Sequence, residues 1–142
     1  MSRQQPVNET PPVSRQSTLL IVVLVFIGGA LGSLARELLV PMLPAPWFWV
    51  PILVVNLLAC FLIGWLFVLR DRLQAWLSNF LVVGFCGGFS TFSHFSFELV
   101  TLGDSGAFLE ALIYVVLAVA LGLGAAVAGE ALARRVHQVA ER

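Results

Sequence analysis

Long apolar stretches separated by short polar connections run through most of the chain. Four stretches are long enough to cross a bilayer, since a transmembrane helix needs about 20 apolar residues. They lie at positions 19–39, 47–69, 77–102 and 107–133. The pattern predicts an all-α membrane protein with four transmembrane helices. We expect a membrane domain at 18–135, a disordered polar tail at 1–17 and a short C-terminal tail at 136–142.

The composition agrees with this pattern and excludes several functions. Hydrophobic residues make up 59% of the 142 positions and charged residues 11%, whereas soluble domains carry about 25% charged residues. Eight basic residues balance eight acidic ones, so no strong field is available to hold nucleic acid. Cys60 and Cys86 match no zinc or disulfide pattern. Because no catalytic triad, metal cluster or nucleotide-binding loop is recognisable, we predict that the chain is not an enzyme.

The arginines at the ends of the apolar stretches and in the segments between and beyond them are unevenly distributed. With four spans, both tails and the middle connection share one side of the membrane. That side holds seven arginines, and the other side holds only Arg36. The positive-inside rule then predicts that both termini face the cytoplasm.

Asn56 is a polar side chain near the middle of the second stretch. An amide in hydrocarbon is costly unless it finds a hydrogen-bond partner. Two interpretations stay open: an interhelical hydrogen bond, or an NH₂ group that donates to a species passing through the membrane.

The third stretch carries the most unusual pattern, GFCGGFSTFSHFSFE at 84–98. Its three glycines each weaken a helix by about 1 kcal/mol relative to alanine, and four hydroxyl side chains follow them. This predicts a helix that breaks at its centre, where freed carbonyl groups would suit a hard monovalent cation. The alternative is a continuous helix whose hydroxyls bond to carbonyls one turn earlier.

Four phenylalanines in this stretch, Phe85, Phe89, Phe92 and Phe95, recur at spacings of three and four. On a helix they form one stripe, which usually packs a core or faces lipid. Interleaved with hydroxyls, such rings have another use, because the edge of an aromatic ring is electropositive and can contact an anion. The chain has no lysine to trap an anion. The combination favours weak, reversible anion contact, which conduction requires.

His94 and Glu98 lie one helical turn apart in the same stretch. Ionisable residues within a membrane are functional hypotheses by default, but one histidine and one glutamate make a poor proton relay. We expect Glu98 to have a structural role, as a cap or as an ion-pair partner of Arg36. His94 has no assigned role.

Three segments of the chain together resemble the small Fluc/CrcB-type fluoride channels. They are GGALGSLAR at 28–36, VNLLACFLIG at 55–64 and VVGFCGGFSTFSHFSFE at 82–98. The likeness covers nearly the whole chain, and the third segment is the most specific. The resemblance implies a multi-pass protein of the bacterial cytoplasmic membrane that lets cytoplasmic fluoride leak out passively.

The resemblance also implies an architecture and a cofactor. Four-helix subunits of the family pair antiparallel, in a dual-topology dimer with two fluoride pathways. The third helix breaks at its centre, and backbone carbonyls from both subunits enclose a structural Na⁺. The matching positions here are Gly87 and Ser90. An antiparallel homodimer is the expectation, although the arginine bias leaves open a heterodimer with an oppositely oriented sister subunit.

Further site residues are carried over by the same resemblance. The fluoride pathway is expected to include an amide donor, two phenylalanines, two hydroxyl residues and a tyrosine; these are Asn56, Phe92, Phe95, Thr91, Ser93 and Tyr114. Arg36, which closes the first motif, and Glu98 are expected to be structural. His94 stands where a small hydroxyl residue is usual, so its bulk is expected to alter conductance.

Two other functions were weighed against a fluoride channel. A proton-coupled multidrug exporter of similar size depends on a glutamate early in its first span, and this first span has none before Glu37. A non-conducting membrane scaffold would need the polar third stretch only for helix packing. Substitution of Phe92 or Phe95 discriminates the scaffold from the channel, because only the channel has a flux to lose.

Overall fold

The computed structural model describes residues 15–140 of the chain, with the side chains of residues 18–138. Residues in this range form helices and connections, with no β-strand among them. The α-helices are α1 (Arg15–Leu39), α2 (Val50–Leu69), α3 (Ala75–Ser78), α4 (Gly87–Phe89), α5 (Phe92–Asp104) and α6 (Phe108–Ala140). A 3₁₀ turn, Val40–Met42, follows α1, and a π-helical segment, Asn79–Cys86, joins α3 to α4.

Four helical stretches are long and apolar enough to cross a membrane. They are Thr18–Met42, Val50–Leu69, Ala75–Asp104 and Phe108–Gln138. The prediction of an all-helical, multi-pass membrane protein with four spans is thus confirmed. The third span differs from the others because it is assembled from α3, the π-helical segment, α4 and α5.

The ends of the helices differ from the predicted boundaries by a few residues. The tail expected at 1–17 lies outside the described residues, apart from the first turn of α1, which begins at Arg15. At the other end α6 continues to Ala140, past the boundary expected at 135. An ion pair one turn apart, Arg134 Nη2 to Glu130 Oε1 at 2.7 Å, supports the helix where the sequence turns polar.

Close backbone contact fixes α1 against the third span. A methyl group added at Gly32 would meet the carbonyl oxygen of Phe85, and one added at Gly88 would meet the carbonyl oxygen of Gly29. Glycine at these two positions therefore lets the backbones touch, which is how helices pack tightly in lipid. The same device joins α2 to α6, where a methyl group at Gly64 would meet the Ala126 carbonyl.

Two buried clusters share α2. One contains Val55, Ala59 and Phe89 and packs against the end of α1; the other contains Trp49, Leu53, Leu102 and Tyr114 and joins α2, α5 and α6. Because the third span contributes to both clusters, its segments before and after Ser90 are anchored separately.

Candidate functional site

Two extended residues separate α4 from α5. Ser90 has φ −73° and ψ 158°, and Thr91 has φ −147° and ψ 116°, so neither has helical geometry. The Ser90 amide still donates to the Cys86 carbonyl at 2.9 Å. The helix thus ends at Phe89 and a new one begins at Phe92, which leaves peptide groups between them to be bound by other side chains.

Asn56 on α2 makes hydrogen bonds with both the backbone amide and the backbone carbonyl of Thr91. Its Nδ2 donates to the Thr91 carbonyl oxygen at 3.2 Å, and its Oδ1 accepts from the Thr91 amide at 2.8 Å. The interhelical hydrogen bond considered for Asn56 is therefore present. An NH₂ group has two donors and this bond uses one, so the side chain retains donor capacity beside the cavity described below.

The Thr91 side chain caps α5. Its Oγ1 accepts from the His94 amide at 3.3 Å and lies 3.1 Å from both Ser93 Oγ and His94 Nδ1. Threonine suits the N-cap because its oxygen satisfies a free amide of the first turn. Ser93 and His94, with Phe97, line a separate depression on the surface, so Ser93 does not line the cavity that Asn56 lines.

Arg36 caps the carbonyl end of α4. Its Nη1 donates to the Gly88 carbonyl at 3.1 Å and to the Ser90 carbonyl at 3.4 Å. A cation at a helix C-terminus is favoured by the helix dipole. Ser33, one turn earlier on α1, donates from Oγ to the Gly88 carbonyl at 3.2 Å. The sequence reasoning missed Ser33, although a hydroxyl three residues before a motif arginine was the available signal.

Glu98 and Tyr114 form a buried pair between α5 and α6. The Tyr114 hydroxyl donates to Glu98 Oε2 at 2.6 Å, and the two residues are 0% and 6% exposed. The ion pair with Arg36 considered for Glu98 is not formed, because Arg36 is engaged by the carbonyls of the third span and by Glu37 at 3.2 Å. Glu98 is therefore joined to α6 through its hydrogen bond with Tyr114.

A cavity of about 330 Å³ opens beside the interruption. Its lining combines the Asn56 amide, the two extended residues and two aromatic rings; the residues are Asn56, Ala59, Cys60, Ile63, Ser90, Thr91, Phe92, Phe95, Ala118 and Val119. Four of the six residues expected in the fluoride pathway are thus brought together. Polar atoms are few, and the walls are mostly apolar, as in binding pockets that use a small number of placed donors.

The two rings of the cavity differ in how firmly they are held. Phe92 is 79% exposed, while Phe95 meets the buried Tyr114 edge-on, with ring centroids 4.9 Å apart and planes at 64°. The Phe92 and Phe95 centroids lie 5.9 Å apart. Tyr114, expected to lie in the pathway, sits behind Phe95, where it also stacks on Trp49 at 4.9 Å. Tyr114 therefore contacts the cavity wall from behind, at the ring of Phe95.

Gly87 and Ser90, the two residues expected to hold Na⁺, are the first residue of α4 and the residue that follows its end. Gly87 is exposed, with nothing within 4 Å of an added methyl group, and Ser90 is partly buried. In membrane proteins, backbone carbonyls at the C-terminal end of an interrupted transmembrane helix serve as oxygen ligands for Na⁺. The described residues contain no group of three acidic, histidine or cysteine side chains that could hold a metal. The carbonyl oxygens of Gly87 and Ser90 are suited to Na⁺ by their chemistry, and the Ser90 oxygen also accepts from Arg36 Nη1 at 3.4 Å. Two oxygens do not complete a coordination shell, so further ligands would come from a second chain.

Four spans, an interrupted third span and a small, mostly apolar cavity with a few polar groups beside the interruption define a multi-pass membrane protein. The family model described as "CrcB-like protein, Camphor Resistance (CrcB)" matches residues 23–130, which is most of the chain. The protein therefore belongs to the CrcB family.

Similar proteins of known name agree with this assignment. The chain is 47% identical over 110 residues to the "Fluoride-specific ion channel FluC" of Ruegeria pomeroyi, with 78% of this chain and 87% of that protein covered. It is 40% identical over 129 residues to "Fluoride-specific ion channel FluC 2" of Nocardia farcinica, with 86% and 91% covered. It is 42% identical over 113 residues to the "Fluoride-specific ion channel FluC" of Stutzerimonas stutzeri, with 75% of this chain and 91% of that protein covered.

These comparisons confirm two predictions from the sequence. The resemblance to the Fluc/CrcB family is correct, and because the family is one of ion channels, the chain is not an enzyme. The matched residues 23–130 include all three motifs and the whole of the interrupted segment.

Proposed function

We propose that this chain forms a fluoride-selective channel that lets fluoride leave the cytoplasm of a bacterium down its electrochemical gradient. The names of its relatives support this function. The observation that carries the proposal is the cavity in which the Asn56 amide, the Thr91 backbone and the rings of Phe92 and Phe95 meet. It offers hydrogen-bond donors and ring edges to an anion. Its lining contains no positively charged residue that would bind the anion too tightly for conduction.

The anion contacts follow from the chemistry of these groups. A ring edge is electropositive, so Phe92 and Phe95 would contact fluoride edge-on, with the second N–H of Asn56 as a conventional donor. Tyr114 would hold the angle of the Phe95 ring. Thr91 and Ser93, whose oxygens lie 3.1 Å apart, would supply hydroxyls at the next step of the path.

The proposed assembly is an antiparallel dimer of dual topology, with two pathways. The exposure of Phe92 and of the Gly87 region in a single chain supports a second copy that covers them, because a conducting path in a bilayer must be closed off from lipid. The break between α4 and α5 would lie at the centre of this dimer. The arginine bias keeps a sister subunit of opposite orientation as the alternative partner.

The proposed cofactor is a structural Na⁺ held by the carbonyls of Gly87 and Ser90 from each subunit. When bound, the ion would add positive charge at the end of α4, where the Ser90 carbonyl also accepts from Arg36 Nη1 at 3.4 Å. Arg36 and Ser33 hold the neighbouring Gly88 carbonyl. Their role would be to fix the end of α4 so that the Gly87 and Ser90 carbonyls keep their positions.

The proposal is tested by fluoride efflux from liposomes that contain the purified protein, measured with a fluoride electrode. We expect rapid efflux of fluoride and no efflux of chloride. One gene product that conducts would also support the homodimer. If a folded, dimeric protein conducts neither ion, and adding an oppositely oriented sister subunit does not restore efflux, the scaffold function replaces the channel.

The same vesicles discriminate the exporter from the channel. A proton-coupled exporter would respond to a pH gradient and move no fluoride in its absence, whereas passive efflux needs only the fluoride gradient. Fluoride efflux that requires an opposing proton gradient would contradict the proposal.

A further inference from the structure

A second, larger cavity opens at the other end of the α2–α6 interface, where α2 and α6 both begin. It has a volume of about 600 Å³, and its walls include Trp47, Trp49, Glu110, Ile113 and Leu117. The two indole rings stack nearly parallel, with centroids 5.8 Å apart and planes at 13°. Neither the fluoride path nor the proposed dimer centre uses these side chains.

One carboxylate gives this cavity its charge. Glu110 is the only charged residue among those that line it, and its Oε1 accepts a hydrogen bond from Trp49 Nε1 at 2.6 Å. The bond fixes the carboxyl group at the rim and leaves Oε2 with acceptor capacity. A carboxylate beside stacked aromatic faces is the chemistry that recognises an ammonium group.

The charge of the surroundings favours the same ligand. Near this end of the molecule, the described ends of α1, α5 and α6 carry one arginine, Arg36, and three acids, Glu37, Asp104 and Glu110. Arg36 pairs with Glu37 at 3.2 Å. At the opposite end the described residues carry more arginines than acids. A cation is therefore attracted to the end at which the Trp47–Glu110 cavity lies.

The shape of the cavity specifies more than a small cation. Glu110, Ile113 and Leu117 follow one another at spacings of three and four, so they line one face of α6 that runs from its first turn into the apolar span. Tryptophans at the start of a span lie at the membrane–water interface, and the Trp47 ring is 54% exposed there. The polar rim and the apolar wall together match an amphiphile.

We propose that this cavity binds a phospholipid with an ammonium headgroup, such as phosphatidylethanolamine. The ammonium lies against Glu110 Oε2 and the Trp47 ring, and an acyl chain lies along Ile113 and Leu117. The bound lipid holds the start of α6 against the start of α2. Trp49 stacks on Tyr114 on the buried side of this contact.

Native mass spectrometry of the intact protein in detergent tests this site with three probes: phosphatidylethanolamine, phosphatidylglycerol of the same acyl chains, and soluble tetramethylammonium. We expect phosphatidylethanolamine to be retained about tenfold over phosphatidylglycerol, as a cation–π contact supported by one charge allows. Glu110→Gln keeps an acceptor for the Trp49 indole and should abolish the preference. Trp47→Leu should reduce it.

Asp104→Asn is the matched control, since it removes an exposed acid at the same end of the molecule and should leave the preference unchanged. Equal retention of the two lipids by the wild type, or an unchanged preference in Glu110→Gln, would overturn the proposal. Binding of tetramethylammonium as tight as that of the lipid would also overturn it, in favour of a site for soluble cations. None of these readouts depends on fluoride flux, so the site and the channel function stand or fall separately.

Discussion

Asn56 and Thr91 are joined by two hydrogen bonds, from Asn56 Nδ2 to the Thr91 carbonyl at 3.2 Å and from the Thr91 amide to Asn56 Oδ1 at 2.8 Å. These bonds occupy the amide and the carbonyl of Thr91, which in a continuous third helix would bond to other backbone groups of the same helix. In a bilayer, an interruption is tolerated only where other protein groups satisfy the freed peptide atoms. The shape of the break between α4 and α5 therefore depends on a side chain from α2.

Replacement of Asn56 by aspartate separates the two bonds. The carboxylate still accepts from the Thr91 amide, but it cannot donate to the Thr91 carbonyl, and it adds negative charge beside the cavity. We expect Asn56→Asp to lower fluoride efflux at least about fiftyfold, since a charge at the bilayer centre costs about 2.5–3.5 kcal/mol. The lost bond should lower the unfolding free energy by about 1–2 kcal/mol. Asn79→Asp is the control, because it also removes a bond from an amide to a backbone carbonyl, Asn79 Nδ2 to Ala75 O at 2.8 Å, at a position outside the cavity. Normal efflux in Asn56→Asp would contradict the role of Asn56.

Phe92 is the ring whose loss should affect flux most and stability least. It is 79% exposed in the single chain, so Phe92→Ile removes little internal packing while it removes the electropositive ring edge. We expect efflux to be abolished and the dimer to remain folded by size-exclusion chromatography. Phe26→Ile changes a ring of similar exposure, 78%, that lies on α1 and does not line the cavity, and it should conduct. Wild-type efflux in Phe92→Ile would show that the ring is not an anion contact.

The division of the phenylalanine stripe shows where sequence periodicity stops being informative. Spacings of three and four place Phe85, Phe89, Phe92 and Phe95 on one face only if the helix is continuous. The extended residues at 90–91 reorient the chain, so the first pair stacks at 5.8 Å in the interior and the second pair lines the cavity. The four spans were predictable because apolar length alone defines them.

Partners that are distant in sequence were not predictable in the same way. Charge alone made Arg36 a candidate partner for Glu98, but the carbonyl end of α4 competes for the same guanidinium and binds it. Glu98 then meets Tyr114, 16 positions away on another helix. Which helix faces which, and in what register, decides such pairs, and no local pattern in the chain encodes that register.

The Glu98–Tyr114 pair should be measurable as a coupling energy. Tyr114→Phe removes the hydroxyl that donates at 2.6 Å and leaves a buried carboxyl group without that donor. We expect this variant to lose about 1–3 kcal/mol of unfolding free energy. Glu98→Leu removes the acceptor from the other side of the pair, so it too should lower the unfolding free energy. In the double variant the losses should fall short of the sum by about 1 kcal/mol, measured by equilibrium unfolding in detergent. Strict additivity would contradict the pairing.

Gly32 offers a test of how α1 sets the third span. An added methyl group would meet the Phe85 carbonyl oxygen and lie 2.8 Å from the Phe89 amide nitrogen. Both contacts are backbone atoms, which cannot rotate away as a side chain does, so α1 must shift as a whole. Overpacking of this kind costs about 1–3 kcal/mol, and we expect Gly32→Ala to lose that much stability.

The matched control is Gly124→Ala on α6, where an added methyl group meets nothing within 4 Å. Alanine is the better helix former there, so this variant should be neutral or more stable by up to about 1 kcal/mol. Because α1 also presents Ser33 and Arg36 to the Gly88 carbonyl, a shift of α1 in Gly32→Ala should loosen the cap on α4 and reduce fluoride efflux. Full efflux from a destabilised Gly32→Ala protein would mean that α1 supports the fold without setting the geometry of the break.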